Sequence, residues 1–247
     1  MWAEKLASNF HLPLNHVDET NNPPLWFLWV QDGCILTSGT LWTIAYILYI
    51  KQATRDQSFG MPLIALCANI GWELIYGIFY PLSYAEMITF IPWFFIDLGI
   101  VYKTARYGVH KFRHSPMIAN NLPSILFLGS LFSMLLHWAF IMSGDSIDEV
   151  AFWSGFSCQI LLGFSSVAQL MSRDETSGHS LTIWFCRWIG SAMVIVMFSW
   201  RHYHYPENYP FIGTPMAKLI FFSMEAADLL YFVVYKKLEA KERKKLR

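Results

Sequence analysis

Long apolar stretches separated by short polar runs set the pattern of this chain. Seven of them, at about 25–50, 61–81, 87–106, 120–142, 150–171, 181–200 and 214–235, are close to the roughly 20 residues that an α-helix needs to cross a bilayer. Only short connections remain between them, which leaves no room for a separate soluble domain. The pattern predicts an all-α, polytopic membrane protein: a single bundle of seven transmembrane helices over residues 25–235, preceded by a segment 1–24 and followed by a basic tail 236–247.

Composition agrees. Residues are 55% hydrophobic and 15% charged, against about 25% charged in an ordinary soluble domain. The formal net charge is zero, but its distribution over seven crossings is uneven. One side takes Lys51, Arg55, Lys103, Arg106, Lys111, Arg113, Arg173 and the seven basic residues of the tail; the other takes Lys5 and Arg201. The positive-inside rule then places the N-terminus in the lumen and the C-terminus in the cytosol. The first 24 residues are too polar for a signal-peptide core. Trp2, Leu6 and Phe10 recur every four residues and fit either a short interfacial helix or a frayed tail. The basic tail suits anionic lipid, and its last four residues, Lys244-Lys245-Leu246-Arg247, resemble the dilysine retrieval signal of endoplasmic-reticulum membrane proteins. Nucleic acid binding has no other support. Cys34, Cys67, Cys158 and Cys186 all fall within spans, with no CxxC or Cys/His grouping, and so read as packing residues.

Polar groups inside the spans carry the chemistry. An ionisable side chain near mid-membrane costs about 2.5–3.5 kcal/mol on an insertion scale, which marks it as a functional candidate. Glu73, in Ala68-Asn69-Ile70-Gly71-Trp72-Glu73, and Asp228, in Met224-Glu225-Ala226-Ala227-Asp228, stand out. Asp97 is central in its span, and Glu225 shares a face with Asp228. Structural readings stand beside these. Asn69 can cap the Glu73 carboxyl from the preceding turn, Asp32 lies near water, His137 suits a hydrogen-bonded interface, and Arg187 and Lys218 sit where long side chains snorkel. Burial in an apolar setting favours the neutral carboxyl, which can then donate a proton as a general acid. Trp72, Tyr76, Trp93, Trp138 and Tyr231 lie on the same helices, and ring faces stabilise cations where water is excluded. An acid in an aromatic, dry bundle suits carbocation chemistry. No DDxxD or DxDD run, P-loop or HExxH occurs. Asp145-Ser146-Ile147-Asp148-Glu149 falls in a connection and lacks the spacing of a Mg²⁺–diphosphate site, so no such site is expected.

Asn69-Ile70-Gly71-Trp72-Glu73-Leu74-Ile75-Tyr76-Gly77-Ile78-Phe79-Tyr80-Pro81 resembles the signature of the small integral-membrane terpene cyclases of fungi that act in meroterpenoid and paxilline-type indole-diterpene pathways. Asn120-Asn121-Leu122-Pro123, Cys158-Gln159-Ile160-Leu161-Leu162, and Trp184-Phe185-Cys186-Arg187 with Gly190 are supporting matches. The resemblance implies that an acid protonates the terminal epoxide of a prenylated aromatic substrate. Alkenes then close rings on the cation, and a base removes a proton. It implies Glu73 and Asp228 as the two key acids, leaves open which of them protonates, and suggests that Arg187 orients a carboxyl. It implies a lipophilic epoxyprenyl-aromatic substrate, no cofactor, and a place beside the epoxidase and prenyltransferase of the same pathway. An indole-diterpene substrate is the alternative within the family. A seven-helix receptor and a proton-coupled transporter are the alternatives outside it. Lys218 lies too near a span end for a retinal lysine, and the Trp72-Glu73 block has no counterpart in the second half, as a repeat-built transporter would tend to show.

Overall fold

The computed structural model describes residues 10–144 and 146–245. Trp2, Leu6, Asp145, and Leu246 and Arg247 of the dilysine-like sequence lie outside the described residues. The described residues form eight α-helices: α1 (His16–Asn21), α2 (Leu25–Asp56), α3 (Leu63–Leu74), α4 (Tyr84–Lys111), α5 (Pro116–Ser143), α6 (Ile147–Arg173), α7 (Leu181–His204) and α8 (Pro215–Lys245). A π-helical turn, Ile75–Phe79, continues α3, and a 3₁₀ turn, Pro210–Gly213, precedes α8.

Local sequence explains most boundaries. Pro24 precedes α2 and Pro62 precedes α3, in extended conformations that a proline adopts readily. The Ser180 hydroxyl accepts from the Ile183 amide at 3.1 Å to cap α7, and the Asn15 side chain accepts from the Asp18 amide at 2.8 Å to cap α1. Asn22, Gln57 and Asp174 end their helices with φ of 46°, 48° and 55°, the left-handed conformation of a helix C-terminus.

The seven-span expectation is corrected in number. Among the described residues, five helices, α2 and α4 to α7, are long and apolar enough to cross a membrane. α3 and its π turn together cover only Leu63–Phe79, because the chain turns at Tyr80-Pro81. α8 has the length but not the composition. Lys218, Glu225 and Asp228 interrupt its apolar face, and it runs on as a helix through the basic stretch to Lys245. The two-sided charge tally assumed seven crossings, so it no longer assigns sides to the termini.

Packing sets α3 at the centre. It lies against α4, α5 and α6, while α2 packs along α7 and α6 along α8. Gly71 permits the approach of α3 to α5: a Cβ there would stand 2.5 Å from Ser133 Oγ and 2.6 Å from the Met134 amide nitrogen. The largest buried cluster, which includes Trp42, Tyr46, Leu66, Ile70, Trp93 and Leu126, surrounds this central helix. The four cysteines are free and buried.

Candidate active site

Glu73 lies on the last turn of α3, just before the π turn, and is 1% exposed. Three helices present polar groups to one another here. Tyr46 of α2 donates its hydroxyl to Glu73 Oε1 at 3.0 Å. The Asn69 amide is within reach of Glu73 Oε1 at 3.2 Å and of Asp97 Oδ2 at 2.8 Å, and it also meets the Tyr46 hydroxyl. Asp97, from α4, is fully buried. Asn69 thus bridges two carboxyls, one on its own helix and one on a neighbour. Among the described residues no Lys, Arg or His pairs with either acid, and Glu73 Oε2 and Asp97 Oδ1 have no hydrogen-bond partner. The expectation that Asn69 caps Glu73 therefore holds in geometry, but the amide does more than cap.

A cavity of about 200 Å³ opens beside this cluster. Glu73, Asn69 and Tyr46 belong to its wall, together with Trp42, Trp72 and Trp93. Trp93 is fixed by its Nε1 donating to Thr43 Oγ1 at 2.8 Å. Trp72 rests against Gly155, where an added Cβ would stand 3.3 Å from the ring, and its Nε1 is buried without a partner. The wall therefore joins a carboxyl to aromatic faces, the setting in which a developing cation is stabilised by ring quadrupoles.

Asp228 has different surroundings. It lies on α8 and accepts from Arg187 Nη2 at 2.6 Å, with side chains 10% and 2% exposed. Ser166 of α6 meets Arg187 Nη1 at 3.3 Å, Trp184 Nε1 donates to the Asp228 carbonyl at 2.9 Å, and the guanidinium stands 5.5 Å from the centre of the Tyr231 ring. Arg187 is thus a buried partner, not a snorkelling cation. Asp228 is not among the cavity's lining residues.

The other expected residues divide. Glu225 accepts from Trp188 Nε1 at 2.8 Å. Tyr76 is fully buried and bonded to Ser154 at 3.0 Å, behind the wall. Tyr231 packs with His179 and Tyr235. Trp138 faces outward and is 46% exposed. His137 is 4% exposed, with its Nε2 3.7 Å from Cys158 Sγ. Asp32 is not at a watery end but 6% exposed, accepting from the Leu12 amide at 2.8 Å. Tyr46 was not legible as a site residue, since one tyrosine in an apolar span among twelve carries no signal. Arg201 also belongs to the cavity wall, a place that sequence does not mark, because an arginine in the last turn of an apolar helix resembles an interface residue. Asp148 was read as part of a connection, whereas it lies in the first turn of α6, where an acid suits the helix dipole.

Comparison with known proteins bears on what this site does. The model of the Pyr4-like transmembrane terpene cyclases matches residues 17–241. The Pyr4-family terpene cyclase mfmH of Annulohypoxylon moriforme is 50% identical over 242 residues, 98% of this chain and all of that protein. Terpene cyclase macJ of Penicillium terrestre is 36% identical over 88% of this chain and 86% of its own length. Terpene cyclase atmB of Aspergillus flavus is 30% identical over 87% and 89%. No solved structure matches. These relationships exclude the receptor and transporter alternatives. By the extent of the family match and the identity shared along almost its whole length, the chain belongs to the Pyr4-like transmembrane terpene cyclases, integral-membrane enzymes that cyclise without redox chemistry.

Proposed function

We propose that this cyclase acts on a prenylated aromatic compound bearing a terminal epoxide, and that Glu73 is the acid that starts the reaction. The observation that carries the reading is a carboxyl at the cavity wall with an unpartnered oxygen, two neutral hydrogen-bond partners, and no cation beside it. A lone acid of this kind can keep its proton until a substrate oxygen arrives. The Glu73 O–H bond breaks as the proton passes to the epoxide oxygen. The epoxide C–O bond opens at its more substituted carbon, leaving a hydroxyl and a tertiary cation. Successive alkenes attack that cation and each new ring moves it along the chain. Loss of a C–H proton to a base ends the sequence, so the product is an isomer of the substrate.

Trp42, Trp72 and Trp93 line the path of the cation, and their faces favour it over capture by water. Asp97 lies across Asn69 from Glu73 and is the second acid of the cluster, outside the cavity lining. Asp228 is a positioning residue in this scheme: through Arg187 it ties α7 to α8, two helices that contribute to the wall, without itself lining the cavity. The endoplasmic reticulum is the membrane we assign, beside the enzymes that prenylate and epoxidise the substrate.

The test is product analysis on microsomes that contain the wild type or Glu73→Gln, supplied with an epoxyprenyl aromatic. The reading expects a cyclic isomer of unchanged mass from the wild type alone. Recovery of unchanged epoxide from a well-expressed wild type, or equal turnover by Glu73→Gln, would overturn it.

A further inference from the structure

The cavity has a second polar end that proton transfer does not use. Arg201, Asp148 and Asn15 belong to its wall, and they come from the last turn of α7, the first turn of α6 and the cap of α1. The separation of the two ends can be read along α2. Gln31 bonds Arg201, and Tyr46, fifteen positions later, bonds Glu73. Fifteen residues of helix span about 22 Å, of the order of an extended prenyl chain with a ring at its end. Elsewhere the wall is mostly apolar, with Trp42, Phe152 and Phe156 among its residues beside polar ones that include Glu86, Gln159 and Ser191.

Arg201 is 6% exposed, yet among the described residues no carboxylate forms an ion pair with it. Its Nε donates to Gln31 Oε1 at 2.7 Å, and Gln31 Nε2 donates to Asp18 Oδ2 at 2.8 Å. One amide therefore stands between the cation and an acid that could neutralise it. Asp18 stands beyond that amide, and Asp148 belongs to the same cavity wall as Arg201, so among the described residues acids lie at this end without an ion-pair contact to the cation. The rings of Phe198 and Tyr209, each 5.6 Å from the guanidinium carbon, hold it in place. Neither Nη group bonds to protein among the described residues. An arginine buried only to join helices resembles Arg187, which is paired directly. Arg201 instead keeps a rigid pair of donors at the cavity wall, next to a carboxylate acceptor and an amide.

We propose that Arg201, Asp148 and Asn15 form a head-group subsite that binds an aromatic ring carrying hydroxyl and carbonyl oxygens. A ring carbonyl or phenolic oxygen accepts from the Arg201 Nη groups, and a ring hydroxyl donates to Asp148. With the head held there, the prenyl chain lies along the apolar wall and its far end, the epoxide, reaches Glu73. An indole head offers one N–H and no oxygen acceptor, so it would leave the Nη groups of Arg201 without an acceptor, which a site built to hydrogen-bond oxygen rejects. The inference rests on the reading of Glu73 as an epoxide-protonating acid, and it names the substrate class for that reading: an oxygenated aromatic rather than an indole.

Steady-state kinetics on microsomes containing the full chain test it, with three epoxides that share one prenyl chain. One carries a dihydroxybenzoyl head, one an unsubstituted phenyl head and one an indole. The wild type is expected to prefer the oxygenated head by tenfold or more in kcat/KM. Arg201→Gln and Asp148→Asn are expected to raise KM for that head at least tenfold, with far smaller changes in kcat and on the phenyl substrate. Arg201→Lys should recover part of the loss. Asp148, half-buried at a helix start, supplies the second variant if Arg201 variants fail to accumulate. Wild-type turnover without head preference, or equal losses on every head in the variants, would overturn the subsite and leave the epoxide reading intact. A wild type inert towards all three epoxides would overturn the epoxide reading itself, and this inference with it.

Discussion

Two buried acid clusters occupy neighbouring parts of the bundle and are built on opposite principles. Glu73 and Asp97 face each other across Asn69, with Tyr46 as a further neutral partner and no cation. Asp228 is held by Arg187 in a direct ion pair and flanked by Trp184 and Ser166. Glu73, Asn69 and Tyr46 of the first cluster belong to the cavity wall; the residues of the second tie α6, α7 and α8 together without lining the cavity. A carboxyl without a counter-charge can hold and release a proton, whereas a carboxylate paired with a guanidinium is committed to its partner. An ionisable residue inside a membrane segment is therefore not one kind of signal. What stands against it decides whether it reacts or fastens.

Substitution separates the two roles. Glu73→Gln keeps shape and hydrogen bonding but removes the transferable proton, and it is expected to lower turnover by about 10²–10⁴-fold, the usual weight of a positioned acid. Thermal unfolding in detergent close to that of the wild type would show that the loss is chemical. Asp228→Asn is expected to act first on stability. Stranding a buried guanidinium costs about 3–5 kcal/mol, readable as reduced accumulation and a lower Tm. The double variant Arg187→Met/Asp228→Leu removes both charges and should recover accumulation. If Asp228→Asn were instead fully stable and inactive, Asp228 would belong with the chemistry and the contrast between the clusters would fail.

Asp97→Asn keeps the contact with Asn69 and removes one of the two facing acids. A decrease in turnover of about tenfold is expected, equivalent to about 1.4 kcal/mol, measured as the initial rate of product formation. No change would limit the reactive cluster to Glu73 and its direct partners. The smallest effects belong to residues outside both clusters. Trp138→Phe, on an outward face, and Lys218→Met, exposed in the first turn of α8, should each stay within about twofold of wild-type turnover, as surface changes usually do. A large loss at Trp138 would mean that an outward-facing ring shapes the cavity.

The apolar pattern by itself determined that the chain is helical and lives in a membrane, because backbone groups in lipid must be satisfied within helices or closed barrels. It also singled out Glu73, since an acid costs so much at that depth, and the Asn69–Tyr80 block carried the family. How many helices cross was not legible. The run at 61–81 is apolar throughout, but the backbone widens into a π turn after Leu74 and ends near Pro81, and the run at 214–235 contains three charges, of which Glu225 and Asp228 find their partners on α7 while Lys218 is exposed. Partnership is likewise what a linear pattern lacks. Asp97 and Arg187 look alike as isolated charges in apolar runs, and only packing set Asp97 beside Glu73 and Arg187 beside Asp228. Tyr46 and Arg201 became site residues in the same way. Depth in the membrane is a property of position along one helix, and sequence records it; the group that faces a side chain belongs to another helix, and tertiary packing alone decides it.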